Sequence, residues 1–267
     1  MTGDVDFNDA TARVLERMYS APEVVAQRIQ VLRAMALREG EVVLDVGSGP
    51  GMLAKEMAEV VGSSGVVSGI DLSEPMISLC RQRCAEEEWT DFRVGNAMAL
   101  PFEDGVFDVA VAVQVYEYVS EIEVALNELF RVVRPGGRTF ILDTDWDSLV
   151  WNTSDRPRTK RILEAWNEHL SDPYLPETLT QKLRDAGFQV IRREVMPMFN
   201  PEYHAHSYSA GMAFGIESFV PGRRGLTPEE IADWVADLRS LGERGEYFFS
   251  VNRYLFVAVK PGRPDEI

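Results

Sequence analysis

The sequence predicts an α/β fold in which short buried strands alternate with helices, and three observations predict it. Val42, Val43, Leu44 and Val46 form a short aliphatic run bounded by polar and glycine residues, the pattern of a strand buried in a parallel sheet. Gly47, Gly49 and Gly51 follow at once, and from Met52 to Val61 the pattern turns helical. Strand, glycine turn and helix let a ligand approach bare backbone at a helix N-terminus, and together open a βαβ nucleotide-binding half. The third observation is repetition: residues 65–70, 92–95 and 107–113 are further short apolar runs, each followed by a polar strand end and helical or turn sequence.

Size and charge narrow the function. At 267 residues the chain suits one large α/β domain, or one domain with a sizeable insertion. Hydrophobic residues make up 45% and charged residues 26%, as in ordinary globular proteins. A formal net charge of −16 argues against nucleic-acid binding, which needs a basic stripe, and against adsorption to an anionic membrane. The only cysteines, Cys80 and Cys84, lie four apart in a helical stretch; they share a face and are poorly placed for a structural disulfide, so reduced thiols in the cytoplasm are expected. The acidic residues 1–7 lack the order of a signal peptide, and no apolar run is long enough to span a bilayer.

Taken in order, residues 1–36 read as a helical cap. Residues 10–19 are helix-like, then Ser20 is a plausible cap and Pro22 sits near the first turn of a helix with Val24, Val25, Ile29, Leu32 and Met35 on one face. The second strand ends in Asp71, twenty residues after Gly51, the spacing of a glycine loop from an acid that binds ribose hydroxyls. Ser73 can cap the next helix, over 77–89, which carries the solvated run Glu86-Glu87-Glu88. Gln114 leaves the C-terminal end of the fourth strand, where ligands sit in open α/β sheets, so it points at the cofactor and Tyr116, Glu117 or Tyr118 can border the substrate. A helix over 122–133 and a turn at 134–138 lead to a strand at 139–142, and Asp143-Thr144-Asp145-Trp146-Asp147 reads as a strand-end loop. It fails as a calcium loop because its sixth and twelfth positions are Ser148 and Ser154. Helices are expected over 160–170 and 178–186, the latter closed by Gly187, with a sixth strand from Phe188. Residues 200–246 look inserted as a lid, with a helix from Pro228 capped by Thr227; a last long strand spans 247–259. The core is then 37–199 with 247–260.

The glycine loop itself, Asp45-Val46-Gly47-Ser48-Gly49-Pro50-Gly51, departs from a dinucleotide fingerprint. A carboxylate at the strand end repels a pyrophosphate and welcomes a cationic amine or sulfonium. This stretch resembles motif I of class I S-adenosylmethionine-dependent methyltransferases, and the resemblance runs by motif over residues 19–145. It implies a Rossmann-like doubly wound, mostly parallel seven-stranded sheet with an antiparallel last strand and with helical N-terminal and lid additions. It implies S-adenosyl-L-methionine as cofactor, held by Asp45, Gly47, Ser48, Gly49, Gly51 and Asp71, with Leu72 and Met76 flanking the adenine. Tyr19 matches a tyrosine that folds over the bound cofactor. Asn96-Ala97 followed by Leu100-Pro101-Phe102 resembles the family's Gly-Asp-Ala…Leu-Pro-Phe stretch, with Asn96 where the family carries an acid on the adenine amino group and Ala97 offering its N–H. An amide oxygen can still accept that bond.

The branch most resembled is that of ubiquinone/menaquinone biosynthesis and natural products. Methyl transfer from a sulfonium is an in-line displacement on an activated carbon, so positioning and water exclusion dominate, worth about 7–11 kcal/mol in favourable cases. No Asn-Pro-Pro-Tyr signature is present, which favours a small-molecule acceptor with a hydroxyl or an activated carbon. His204 and His206, in the lid and titrating near neutrality, are the candidate bases, with Asp143 or Asp145 as base or anchor. The Gly/Met/Phe-rich residues 211–219 suggest a hydrophobic or aromatic acceptor. No set of metal ligands is identified, and the sequence sets no oligomeric state. Two rivals stand beside this reading: a catalytically silent cofactor-binding partner, and an NAD-dependent oxidoreductase, which Asp45 and the Gly-x-Gly-x-Gly spacing oppose.

Overall fold

A computed structural model describes residues 18–262. Seven strands form one sheet in the order β3-β2-β1-β4-β5-β7-β6. They are β1 (Val42–Val46), β2 (Val66–Asp71), β3 (Thr90–Val94), β4 (Phe107–Val113), β5 (Val133–Trp151), β6 (Gln189–Asn200) and β7 (Phe249–Val259). The first five run parallel, and β7 lies antiparallel between β5 and β6. The doubly wound, mostly parallel sheet with an antiparallel last strand is therefore what the chain folds into.

Helices cover both faces, as the apolar strand runs require. On one face α1 (Pro22–Met35), α2 (Met52–Val61) and α3 (Glu74–Arg83) bury Val31, Met57 and Ile77 against Val43, Val67 and Val111. On the other, α4 (Ile122–Val132) and α6 (Leu175–Asp185) bury Leu126, Leu129 and Leu179 against Leu44, Ala110 and Ile141. A third cluster lies past the C-terminal ends of β4 and β5. There α5 (Arg156–Trp166), α7 (Tyr208–Phe219) and α8 (Pro228–Glu243) pack Ile162, Ile216 and Trp234 around Trp151 and Phe249. Each such fully buried side chain contributes about 1.5–3 kcal/mol of transfer free energy. The stretch between β6 and β7 thus packs on a core that it shares with Val24 of α1, Trp146 and Trp151 of β5 and Ile162 of α5. Its helix α8 starts with a capping box between Thr227 and Glu230.

Several local expectations shift. The cap position before α1 is Ala21, not Ser20, and Met18 and Tyr19 are the only described residues of the segment expected to be helical over 10–19. The helices expected over 160–170 and 178–186 begin earlier, at Arg156 and Leu175; Asp155 caps the first through the Arg158 N–H. The largest change is in β5. The Arg-Pro-Gly-Gly segment is a bulge in strand pairing between Val133 and Arg138, and the expected loop at 143–147 continues the strand. Residues 143, 144 and 145 pair with Tyr254, Arg253 and Asn252 of β7, whose length drives the extension. No helix among the described residues is long and apolar enough to cross a membrane.

Candidate active site

The glycine loop between β1 and α2 is built by close approach. Gly47 adopts φ +72°, its N–H and that of Ser48 both donate to the Ile70 carbonyl at 2.8 and 2.9 Å, and a Cβ there would fall 2.4 Å from Val115. Gly51, at φ +81°, presses so near α3 that a Cβ would meet the Cys80 sulfur at 2.5 Å. Gly49 differs: nothing approaches within 4 Å except the Tyr19 ring at that limit, so its surface is open and roofed by Tyr19. Its N–H donates to Asp71 Oδ2 at 2.9 Å, while Asp71 Oδ1 accepts from the Ser73 N–H at 2.9 Å. Those bonds fix the Asp71 carboxylate and leave lone pairs on both oxygens. Burial still raises the Asp71 pKa, against the pull of these amides. Asp45 is buried, its Oδ2 has no partner among the described residues, and burial together with the nearby Asp71 charge pushes its carboxyl up to about 7.

Beside this cradle, Ser48 is buried, Leu72 is 73% exposed next to Asp71, and Met76 is buried one turn into α3, whose cap is Ser73. Asn96 turns its Oδ1 onto the Met98 N–H at 2.9 Å, leaving one lone pair and its amide nitrogen; Ala97 beside it is buried. Tyr19 is tethered: Arg28 on α1 donates to its carbonyl at 3.2 Å and to Glu56 on α2 at 2.8 Å. Burial, with Asp71 adding to it, pushes the Tyr19 phenol up to about 12, so it stays neutral.

Beyond the glycine loop the chain leaves β4 through Gln114, a non-glycine residue at φ +58°. Its backbone N–H donates to the Leu142 carbonyl at 2.7 Å, and its Oε1 accepts from the Thr144 hydroxyl. Thr144 Oγ1 also accepts from Arg253 at 3.2 Å, and Arg253 reaches Gln27 at 2.6 Å. Two carboxyls are sealed alongside. Asp143 accepts from the Val115 N–H at 3.0 Å, and Glu117 accepts from Trp146 Nε1 at 2.9 Å and the Thr144 N–H at 3.3 Å. Burial pushes Glu117 up to about 7 and Asp143 well above the carboxylate range, with Arg253 opposing both. Glu117 Oε1 and Asp143 Oδ2 have no partner among the described residues.

The candidate bases named from sequence are not brought here. His204 and His206 are exposed ahead of α7, the His206 N–H donating to His204 Nδ1 at 3.2 Å. Asp145 is half-buried in β5, not in a loop, and its Oδ1 accepts from the Asp147 N–H at 3.1 Å. Strand alternation puts it on the face opposite Thr144. Glu117, noted from sequence only as a substrate-bordering residue, and Arg253, on the last strand, are the charged groups that β4, β5 and β7 converge on. Among the described residues no group of three or more His, Cys, Asp or Glu side chains is placed to hold a metal.

The cradle fits S-adenosyl-L-methionine on this chain's own features. Asp45 presents a buried carboxylate oxygen unpartnered among the described residues for an ammonium, Gly49 presents open backbone, and Asp71, fixed by two amides, keeps lone pairs on both oxygens for ribose hydroxyls. The comparisons agree. Residues 44–141 match the family described as "Methyltransferase domain". The chain is 34% identical over 181 residues to an uncharacterized 37.1 kDa protein of transposon TN4556 from Streptomyces fradiae, covering 66% of this chain and 51% of that protein. It is 32% identical over 160 residues to the demethylmenaquinone methyltransferase of Lactococcus lactis, covering 59% and 60%, and 38% identical over 122 residues to that of Staphylococcus aureus, covering 46% and 51%. The chain thus spans about half to three fifths of the length of these relatives. Solved structures sharing the fold include a SAM-dependent methyltransferase from Aquifex aeolicus (TM-score 0.55, 20% identity, 93% of this chain and 99% of that one). Others are phosphoethanolamine N-methyltransferase 2 of Haemonchus contortus with S-adenosylhomocysteine (0.63, 19%, 96% and 58%) and the cyclase SpnF (0.58, 24%, 89% and 82%). Glycine loop, acid pair and sheet order stand beside these matches: residues 44–141 match a methyltransferase domain, and the chain shares the fold of solved S-adenosyl-L-methionine-dependent methyltransferases.

Proposed function

We propose that this chain transfers the methyl group of S-adenosyl-L-methionine to a hydroxyl or activated carbon of a small aromatic or hydrophobic compound. The cofactor supplies a methyl on a positively charged sulfur, already activated for displacement. Asp45, Ser48 and the backbone at Gly47, Gly49 and Gly51 hold its amino-acid end, Asp71 accepts from its ribose hydroxyls, and Leu72, Met76, Asn96 and Ala97 border its adenine. Gln114 and Tyr19 close the cradle toward the acceptor, excluding water. The observation that carries the reading is Glu117: a sealed carboxyl held at about 7 with one free oxygen, beyond Gln114 and against the tryptophan-rich third cluster. Such a group takes a proton from an acceptor at neutral pH, in place of His204, His206 and Asp145, the candidates that the sequence offers. Free, buried Cys80 and Cys84 support a reducing, cytoplasmic setting.

Transfer of label from the cofactor to a panel of phenols and activated carbon acids tests this. The expected outcome is turnover that rises with pH and levels off above about 7, as the Glu117 base ionises. Glu117→Gln should lose about 100-fold or more, while His204→Ala and His206→Ala keep the wild-type rate. Cofactor binding without any transfer would instead favour the silent-partner reading.

A further inference from the structure

Arg253 is a buried cation whose outer end is unused. It stands on β7, 5% exposed, with its guanidinium carbon 4.7 Å from the centre of the Tyr208 ring. A guanidinium carries five N–H hydrogens. Nε donates one to Thr144 Oγ1 and Nη1 one to Gln27 Oε1, and both of these acceptors are neutral. The remaining hydrogens, on Nη2 and on Nη1, meet no acceptor among the described residues. They form the terminal fork whose spacing matches the two oxygens of a carboxylate. A buried charge is costly unless it is paired. Glu117 and Asp143 do not pair this one: their bonds go to Trp146, Thr144 and Val115, and burial holds both toward the protonated form.

The fork lies at a recess rather than in packed core. Tyr118 marks the recess: its surface is 48% exposed, yet burial raises its phenol well above the ordinary tyrosine value, the combination of a side chain that lines a deep hollow. The charges acting on it are those of Glu117 and Arg253, beside the phenols of Tyr19 and Tyr208. Tyr19, half-buried with its ring at Gly49, feels the same Arg253 charge from the cofactor side. The Tyr116 hydroxyl is sealed in the core without a partner. Arg253 Nη2 and the hydroxyls of Tyr19 and Tyr208 also bond to no described residue, but they are not sealed from solvent. The hollow thus runs from the glycine loop to Arg253, with tyrosine walls and a cation at its inner end.

Resting on the methyl-transfer reading, we propose that Arg253 is the anion subsite of the acceptor site: the compound methylated is a small aromatic acid whose carboxylate is held by the Nη1–Nη2 fork. One guanidinium balances one negative charge, which suits a carboxylate better than a phosphate dianion. Arg253 and Glu117 both bond to Thr144, one to its hydroxyl and the other to its N–H. The acid group therefore lies on the same side of the acceptor as the atom that gives up its proton.

Calorimetry on the full chain with S-adenosylhomocysteine present tests it, with 2-, 3- and 4-hydroxybenzoate each set against its own neutral amide at about pH 6, where the acids are ionised. At least one acid should bind about tenfold or more tightly than its amide, as a charge-assisted pair requires. Arg253→Gln should erase that preference. Gln27→Glu should erase it too, because it sets a carboxylate against Nη1 from α1 and supplies the missing counter-charge without changing side-chain size. Acid and amide equal or both unbound in every wild-type pair, or a preference that survives either substitution, would overturn the subsite. Should Arg253→Gln fail to fold, the wild-type pairs and Gln27→Glu decide. An acid preference in a chain that passes no methyl to any of these acids or to a neutral phenol would sink the methyl-transfer reading and leave the subsite standing. Transfer to neutral phenols with acid and amide bound equally would sink the subsite alone.

Discussion

At the scale of single residues, the site is a set of acids whose pKa values burial raises. Asp45 is the clearest: among the described residues one of its oxygens has no partner, and its carboxyl is held at about 7. An ammonium placed against it favours the carboxylate, so cofactor binding should release a proton. Titrating S-adenosylhomocysteine near pH 6.5 in buffers of different ionisation enthalpy should show roughly half a proton or more released, and affinity should climb with pH up to about 7. Asp45→Asn should abolish the release and weaken binding about tenfold or more. Buffer-independent heats in the wild type would remove Asp45 from the ammonium site.

At the scale of elements, the site depends on how α1 is fastened to the glycine-loop helix. Arg28 bridges Glu56 on α2 and the Tyr19 carbonyl, and its side chain is 16% exposed. This pins the tyrosine over Gly49 through its backbone rather than through its phenol. Arg28→Ala should therefore raise the Kd for S-adenosylhomocysteine about threefold to tenfold, chiefly by faster dissociation, while costing the fold only about 1 kcal/mol, as for a partly exposed ion pair. Stopped-flow release rates check this; an unchanged rate would mean that Tyr19 stays in place without the tether. The same scale explains β5. A run that ends at Leu142 on local pattern continues because β7 offers paired backbone as far as Phe249. A loop of acids thereby becomes a strand, which parts Thr144 from Asp145 across the sheet.

At the scale of the molecule, the buried acids make stability depend on pH. Asp45, Glu117 and Asp143 all hold protons more tightly folded than unfolded. Between about pH 4 and 7 the folded chain therefore binds more protons than the unfolded one, and these groups lose stability as pH rises through that window. His169, lowered to about 4, acts in the opposite sense between about 4 and 6.5, but it is one group against three. Urea denaturation of the cofactor-free protein should thus show lower stability at pH 8 than at pH 5. Glu117→Gln should remove on the order of 2–3 kcal/mol of that difference. An identical pH dependence in the variant would mean that Glu117 is ionised in the fold at pH 5.

By itself the sequence determined the sheet's class, the glycine loop, and the acid twenty residues beyond it, because these are carried by local pattern. A β-branched run, three glycines before a helix, and the Asp71 spacing need no knowledge of distant chain. Tertiary structure alone decided the buried polar cluster beyond Gln114. Glu117, Thr144, Trp146, His169 and Arg253 come from four separate stretches between positions 117 and 253, and only the pairing of β5 with β7 and the folding of α7 over Trp166 bring them together. Two histidines near each other in sequence looked like chemistry, yet they sit on the surface, whereas the lone His169 is enclosed by rings. Proximity along the chain is set by covalent bonds, but the dry, low-dielectric surroundings that give a side chain unusual acidity are made by segments distant in sequence.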